Sequence, residues 1–259
     1  MTARPDPPRH VLITGASSGI GAALARSYAR PGVRLSLTAR STERLQQVAA
    51  QCGAAGAETA LQTIDICDAA ALPAWIEDCD TQRPVDLVIA NAGVGGERVI
   101  ATSSGETLSV AHDIVATNIL GVANTVIPLL PRFVARGKGH VVIMSSLAAY
   151  IGLPQAPLYS ASKAAIRIYG QGLRRLLEPK GVQVTVICPG FVDTPMSASV
   201  PGERPLLWTT ERAARRIVAG LARGERDITF PWPLAALARV ANLLPARWLD
   251  SALARRNRT

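Results

Sequence analysis

Cysteine, aromatic rings and long apolar runs are all scarce in this chain of 259 residues, and each scarcity excludes something. The four cysteines, Cys52, Cys67, Cys79 and Cys188, have neither the paired spacing of a metal site nor the density of a disulfide framework. They read as reduced, mostly packed thiols in a reducing compartment, with no metal expected. Aromatic residues make up only 4% of the chain, so although the net charge is +9, the scattered basic residues lack the interleaved stacking rings of a nucleic-acid binder. No run approaches the ~18 apolar residues that suggest a membrane-spanning helix. The opening MTARPDPPRH carries charge and prolines before any apolar stretch, and so lacks the core of a secretory signal. A cytoplasmic protein, peripheral to a membrane at most, is expected. Internal repeats, low-complexity tracts and linkers are also missing, which predicts one domain over residues 1–259.

What is present is a core: 48% of the residues are hydrophobic. Short buried-strand patterns fall at His10 to Thr14, Val33 to Ala39, Thr59 to Ile64, Asp86 to Ala90, Gly139 to Met144 and Gln183 to Ile187, with a last candidate at Asp227 to Phe230. Helical spacing occupies Ile20 to Arg30, Thr42 to Cys52, a long stretch from about Ser109 to Arg136, and Tyr159 to Glu178, which stops at Pro179 and Gly181. Strands alternating with helices need crossovers. The predicted fold is therefore α/β, a doubly wound, Rossmann-like, mostly parallel sheet with helices on both faces.

The first strand runs into TGASSGIG, where Gly15, Gly19 and Gly21 make a turn tight enough for backbone N–H groups and a helix N-terminus to meet a phosphate. At the end of the second strand a carboxylate would accept from a ribose 2′-OH, whereas an arginine pairs with a 2′-phosphate. Ala39 stands where the acid would be and Arg40 follows, which points to NADP(H). Tyr159 and Lys163, in YSASK, are one helical turn apart and share a face. An ammonium group beside a phenol favours the phenolate, so the pair is expected to lower the tyrosine pKa and make Tyr159 a general acid or base. Ser146 ends the Gly139 to Met144 segment, with Ser145 as the competing choice for a hydroxyl that orients a substrate oxygen. Asn118, in TNILG, is a poor helix former inside a predicted helix, which suggests a backbone or water contact.

Taken in order, these elements resemble the short-chain dehydrogenase/reductase family over about Val11 to Met196. The resemblance covers the TGxxxGxG turn, the NAG element at Asn91, Ala92 and Gly93, the Ser146 to Tyr159 separation of thirteen positions, YSASK, and CPGFVDTPM at Cys188 to Met196. It implies a hydride-transferring enzyme on a carbonyl or alcohol, with Asn118, Ser146, Tyr159 and Lys163 as the catalytic group, Lys163 also binding the ribose and Asn118 supporting a proton relay. It implies cofactor contacts from Gly15, Ser17, Ser18, Gly19, Ile20 and Gly21, from Arg40 and Ser41, from Asp65 and Ile66 at the adenine, from Asn91, Ala92 and Gly93, and from Pro189, Gly190, Val192 and Thr194 around the nicotinamide. A homodimer through the helices bearing Asn118 and Tyr159 is also implied.

The match fades beyond residue 196. Val200, Leu206, Leu207 and Trp208 suggest an apolar lid over a hydrophobic substrate, or simply residues packing that segment onto the body. The ending FPWPLAALARVANLLPARWLDSALARRNR mixes tryptophan, leucine and arginine, and three readings stay open: a subunit contact, an interfacial membrane attachment, or a helix covering the cleft. The rival to an enzyme is an NADP-binding sensor or scaffold without turnover, in which Tyr159 and Lys163 would be dispensable.

Overall fold

The computed structural model describes residues 7–100, 105–200 and 202–241, which form seven strands, the central ones aliphatic and buried on both faces. They are β1 (His10–Thr14), β2 (Arg34–Ala39), β3 (Glu58–Thr63), β4 (Leu87–Ala90), β5 (Gly139–Met144), β6 (Val182–Pro189) and β7 (Asp227–Phe230). Every pairing is parallel, in the order β3-β2-β1-β4-β5-β6-β7. A parallel sheet must be covered on both sides, which is why β1 and β4 show no polar alternation. One face packs under α1 (Gly19–Tyr28), α2 (Thr42–Ala54) and α9 (Thr210–Ala222), around Leu24, Leu35, Leu45 and Ile217. The other packs under α3 (Ala71–Gln82), the run α4 (Leu108–Val115), α5 (Gly121–Val126) and α6 (Leu130–Arg136), and α7 (Pro157–Leu177), around Ile76, Val126, Phe133 and Ile166. Two further helices, α8 (Pro195–Ala198) and α10 (Trp232–Ala241), follow β6 and β7. The chain leaves β1 toward β2 and β3, then returns to β4 on the other flank of β1. The crevice at that reversal, above the C-terminal ends of β1 and β4, is where such sheets bind ligands.

The expected strand and helix boundaries agree to within about two residues, but α3 and α9 match no span read from the sequence. Both have mixed faces: α9 buries only Ala213, Ala214, Ile217, Gly220 and Leu221 among arginines, with the Thr209 hydroxyl capping its first turn. A second correction concerns the long helix. The run Leu108–Arg136 is, by length and composition, long and apolar enough to cross a membrane, contrary to the sequence reading. Its Ala, Gly, Thr and Asn residues disguised that apolarity. Here its inward side packs on the sheet through Ile114, Val122, Val126, Leu129 and Phe133, so it serves as a core helix.

On this face sits a buried carboxylate. Asp80 accepts from Arg136 at 2.8 Å and 2.9 Å, from Arg132 at 3.2 Å and from the Val85 amide at 2.8 Å, tying α3 to α6. Burial works against its charge, but these four donors hold its pKa below the ordinary carboxylate value. Replacing Asp80 with Ala should lower the unfolding free energy by about 2 kcal/mol, because both arginines keep solvent access. Denaturant titration measures it. The native contribution of Asp80 is present at neutral pH and fades as acid protonates the carboxylate, so the wild-type–mutant gap should close below the ordinary carboxylate pKa.

Candidate active site

At the switch point, Gly15 (φ +69°) and Gly19 (φ +54°) adopt left-handed backbone that side-chain-bearing residues avoid. A β-carbon on Gly21 would fall on the Gly15 carbonyl oxygen and lie 2.5 Å from Asn91 Nδ2. Three glycines thus keep this turn open above α1, whose first N–H groups face the crevice. Ser18 precedes the helix in extended conformation with its hydroxyl making no capping bond, and Ser17 and Ile20 are half-buried beside it. Asn91 locks the turn to β4: its Nδ2 donates to the carbonyls of Thr14 (3.1 Å) and Gly15 (3.2 Å). The Thr14 hydroxyl in turn accepts from the amides of Asn91 and Ala92. Thr14 was missed in the sequence, although a hydroxyl ending the strand before such a turn is a usable signal.

Arg40 lies exposed just past the end of β2, with Ser41 half-exposed before α2. Asp65, also exposed, accepts from the Cys67 amide at 2.9 Å, shaping the loop after β3. Ile66 is buried against Gly121 of α5. Cys67 is the one exposed thiol of the four, and the Arg40 charge reaches it.

Across the crevice, the helix bearing Asn118 loosens into a π-turn over Ala116–Leu120, closed by the Gly121 amide on the Ala116 carbonyl. The fully buried Asn118 side chain is spent on specific partners. Its Oδ1 accepts from the Val94 amide at 2.8 Å, and its Nδ2 donates to the Val94 carbonyl (3.1 Å) and the Ser162 hydroxyl (3.2 Å). Gly93 fits between Asn118 and Lys163, where a β-carbon would lie 3.0 Å from Asn118 Oδ1 and 3.3 Å from Lys163 Nζ. The expected backbone contact is therefore to Val94, and Ser162 is a partner that sequence spacing did not single out.

Tyr159, Lys163 and Ser146 meet where α7 passes the end of β5. Lys163 Nζ sits 5.9 Å from the Tyr159 ring centre and donates to the Met144 carbonyl at 3.2 Å. The Ser146 hydroxyl faces the phenol and accepts from the Ala148 amide, starting a short turn over Leu147–Tyr150. Ser145 points elsewhere, donating to the Lys163 carbonyl at 2.8 Å, as a structural neighbour should. The electrostatics correct one expectation: burial pushes the Tyr159 phenol above its ordinary pKa, with the Ser146 hydroxyl pulling the other way, while burial draws the Lys163 ammonium down to about 8. Burial, opposed only by the Ser146 hydroxyl, therefore favours the protonated phenol.

The loop after β6 closes the crevice from the far side. Pro189 is buried at the strand end, and the Gly190 amide donates to the Phe230 carbonyl at 2.7 Å. Val192 bridges to Trp208, and the Thr194 methyl lies against Gly19, so this loop touches the glycine turn. Met196, which had no role in the sequence reading, lies with Tyr159 against Gly95. Trp208 belongs to the body rather than to a lid: it stacks on Phe230 at 4.8 Å under the Arg212 guanidinium. Leu206 and Leu207 stay largely exposed, and Val200 is half-buried.

The model of the short chain dehydrogenase family matches residues 9–204 of this chain. The chain belongs to the short-chain dehydrogenase family. This short-chain dehydrogenase is 39% identical to an uncharacterized oxidoreductase of Myxococcus xanthus, over 95% of its own length and 97% of that protein's. It is 34% identical to a putative ketoacyl reductase of Streptomyces coelicolor, over 82% of each chain. Among solved structures it resembles a short-chain dehydrogenase from Sphingobium yanoikuyae in complex with NADPH, with a TM-score of 0.79, 26% identity and coverage of 96% of this chain and 94% of that one. The short-chain dehydrogenase is thus an oxidoreductase by family.

Proposed function

We propose that this short-chain dehydrogenase is an NADP(H)-dependent reductase or dehydrogenase of a hydrophobic carbonyl or alcohol. The observation that carries the reading is the meeting of Tyr159, Lys163 and Ser146 across from a glycine turn, all at the C-terminal ends of the strands. The cradle suits a dinucleotide because its walls close up at glycines: β-carbons would collide with Ala92 at Gly15, with the Gly15 carbonyl at Gly21 and with Asn118 at Gly93, so backbone alone lines the turn. Gly15 to Gly21 and Thr194 would hold the pyrophosphate, Asp65 and Ile66 the adenine, Arg40 and Ser41 the 2′-phosphate, and Asn91 to Gly93 with Pro189, Gly190 and Val192 the nicotinamide side. Bound there, the nicotinamide supplies or takes the hydride. Tyr159 donates its proton to the nascent alkoxide oxygen, or takes one back in the other direction. Ser146 hydrogen-bonds that oxygen, Lys163 holds positive charge near the phenol and ribose, and Asn118 keeps the α4–α5 bend beside Lys163. The likeness to a ketoacyl reductase and to an NADPH complex supports both the substrate class and the cofactor. Met196, 40% exposed beside Tyr159 and Gly95, supports an apolar substrate.

A homodimer is part of the proposal. Leu120 and Ile127 on the α4–α6 run and Ile168 and Leu176 on α7 are each more than half exposed, and an apolar groove of about 170 Å³ lies between them, lined by Ile119, Ala123, Ile127, Ala165, Ile166 and Tyr169. Four unpaired cysteines support residence in the reducing cytoplasm.

A panel of aliphatic and aromatic ketones, followed by NADPH oxidation, tests the activity; no turnover on any of them counts against it. Arg40→Ala tests the cofactor. It should weaken NADPH roughly tenfold or more while leaving NADH unchanged, since one charge-assisted pair contributes about 1.5–3 kcal/mol. An equal loss for both cofactors would remove Arg40 from the 2′-phosphate.

A further inference from the structure

All seven strands end at one edge, and the chain leaves β7 at that edge directly into α10. Pro231, between them, comes near the active site: a β-carbon on Gly190 would touch Pro231 Cδ at 2.9 Å and Leu147 Cδ1 at 3.2 Å. Helix α10 packs against the Leu147–Tyr150 turn that Ser146 begins, burying Ala235 and Ala238 and half-burying Leu234. One face of the helix is thereby accounted for.

Among the described residues, nothing covers the opposite face. Trp232 (77% exposed), Pro233, Ala236, Leu237 (63%) and Val240 (53%) all lie open to solvent, and apart from Arg239 the helix has no polar residue. Surface helix α9 of the same protein turns Glu211, Arg212 and Arg215 outward instead. A helix apolar all round is one made to be covered on both sides. Charge says by what. From Pro231 to the end the sequence carries five arginines against one aspartate, in a chain of net charge +9. A second copy would bring like charge to the same face, whereas an anionic lipid surface brings the opposite charge together with an apolar layer deep enough for tryptophan and leucine.

We propose that the open face of α10 docks this enzyme onto anionic lipid membranes, with the strand-end edge that bears Tyr159 and Ser146 turned toward the bilayer. Lipid-dissolved carbonyl compounds then reach the cleft without crossing water. This substrate route rests on the oxidoreductase reading above; the docking itself does not, and the two are measured apart.

The 259-residue chain is floated with vesicles of phosphatidylcholine alone and of phosphatidylcholine with phosphatidylglycerol, at low and high salt, and turnover of a water-soluble ketone is followed without vesicles. Recovery with the anionic vesicles, falling with salt and reduced at least roughly tenfold in Trp232→Ser/Leu237→Ser, is the expected result, since each side chain transferred out of water is worth about a decade in partition. Both substitutions fall on solvent-exposed positions, so the variant should keep its melting temperature and its soluble turnover. Equal recovery on neutral vesicles, no recovery on either, or full recovery of the double variant overturns the proposal. So does a shift in the oligomeric state of that variant without vesicle binding, which would assign the face to a second copy. Loss of soluble turnover in the wild type with vesicle binding intact would strike the enzymatic reading alone.

Discussion

Replacing Tyr159 with Phe should cut turnover by roughly a thousandfold while NADPH affinity changes by no more than about twofold, because the ring that packs beside the crevice stays and only the proton donor goes. Stopped-flow reduction under single turnover, with fluorescence titration of NADPH, measures both. Full turnover with normal binding would move the proton donor to another group. The pH profile adds a second readout. Burial keeps the phenol protonated at neutral pH, so carbonyl reduction should run there without help from base. Lys163, drawn down to about 8, sheds its charge above that point, and the profile should break near it. A profile flat through that region would remove Lys163 from any electrostatic part in the step.

Gly21→Ala carries the next largest effect. Its new methyl group would land on the Gly15 carbonyl oxygen, which is backbone and cannot swing aside, and 2.5 Å from the Asn91 amide that clamps the turn to β4. Either α1 slides or the Asn91 clamp opens, at about 3 kcal/mol by analogy with overpacked sites. Because the strain falls on the phosphate cradle, NADPH should bind about a hundredfold more weakly. Isothermal titration gives the affinity and thermal unfolding the stability. Unchanged affinity would show that the turn is structural only. Gly32, with nothing near its β-position, is the matched control: its φ of +81° strains any substitution without touching the crevice.

What could be read in advance was whatever local spacing encodes. The glycine turn, the one-turn step from Tyr159 to Lys163 and the aliphatic central strands all announce themselves within a few residues, and the structure puts them where that spacing says. Contacts made across the fold did not announce themselves. Asn118 signalled an irregularity in its helix, yet its partners Val94 and Ser162 lie 24 and 44 positions away and become visible only once the sheet is assembled. Trp208, beside Leu206 and Leu207, could be read as lid or as packing on the body, because the ring it stacks on, Phe230, belongs to the last strand. The direction of the Tyr159 pKa was misjudged for a related reason. Sequence reveals a neighbouring charge but not how thoroughly both groups are withdrawn from water, and withdrawal decided the sign.

Residues 202–207 lie exposed or half-buried and run into a residue that is firmly pinned. The Asp193 amide donates to the Trp208 carbonyl and the Trp208 amide to that of Phe191, while the Trp208–Phe230 stack rivets Trp208 to β7. Combinatorial libraries confined to that stretch should therefore change which ketones are accepted, and which face of them is attacked, without loss of folding yield or of the hydride-transfer apparatus. Directed evolution can treat it as an interchangeable cassette.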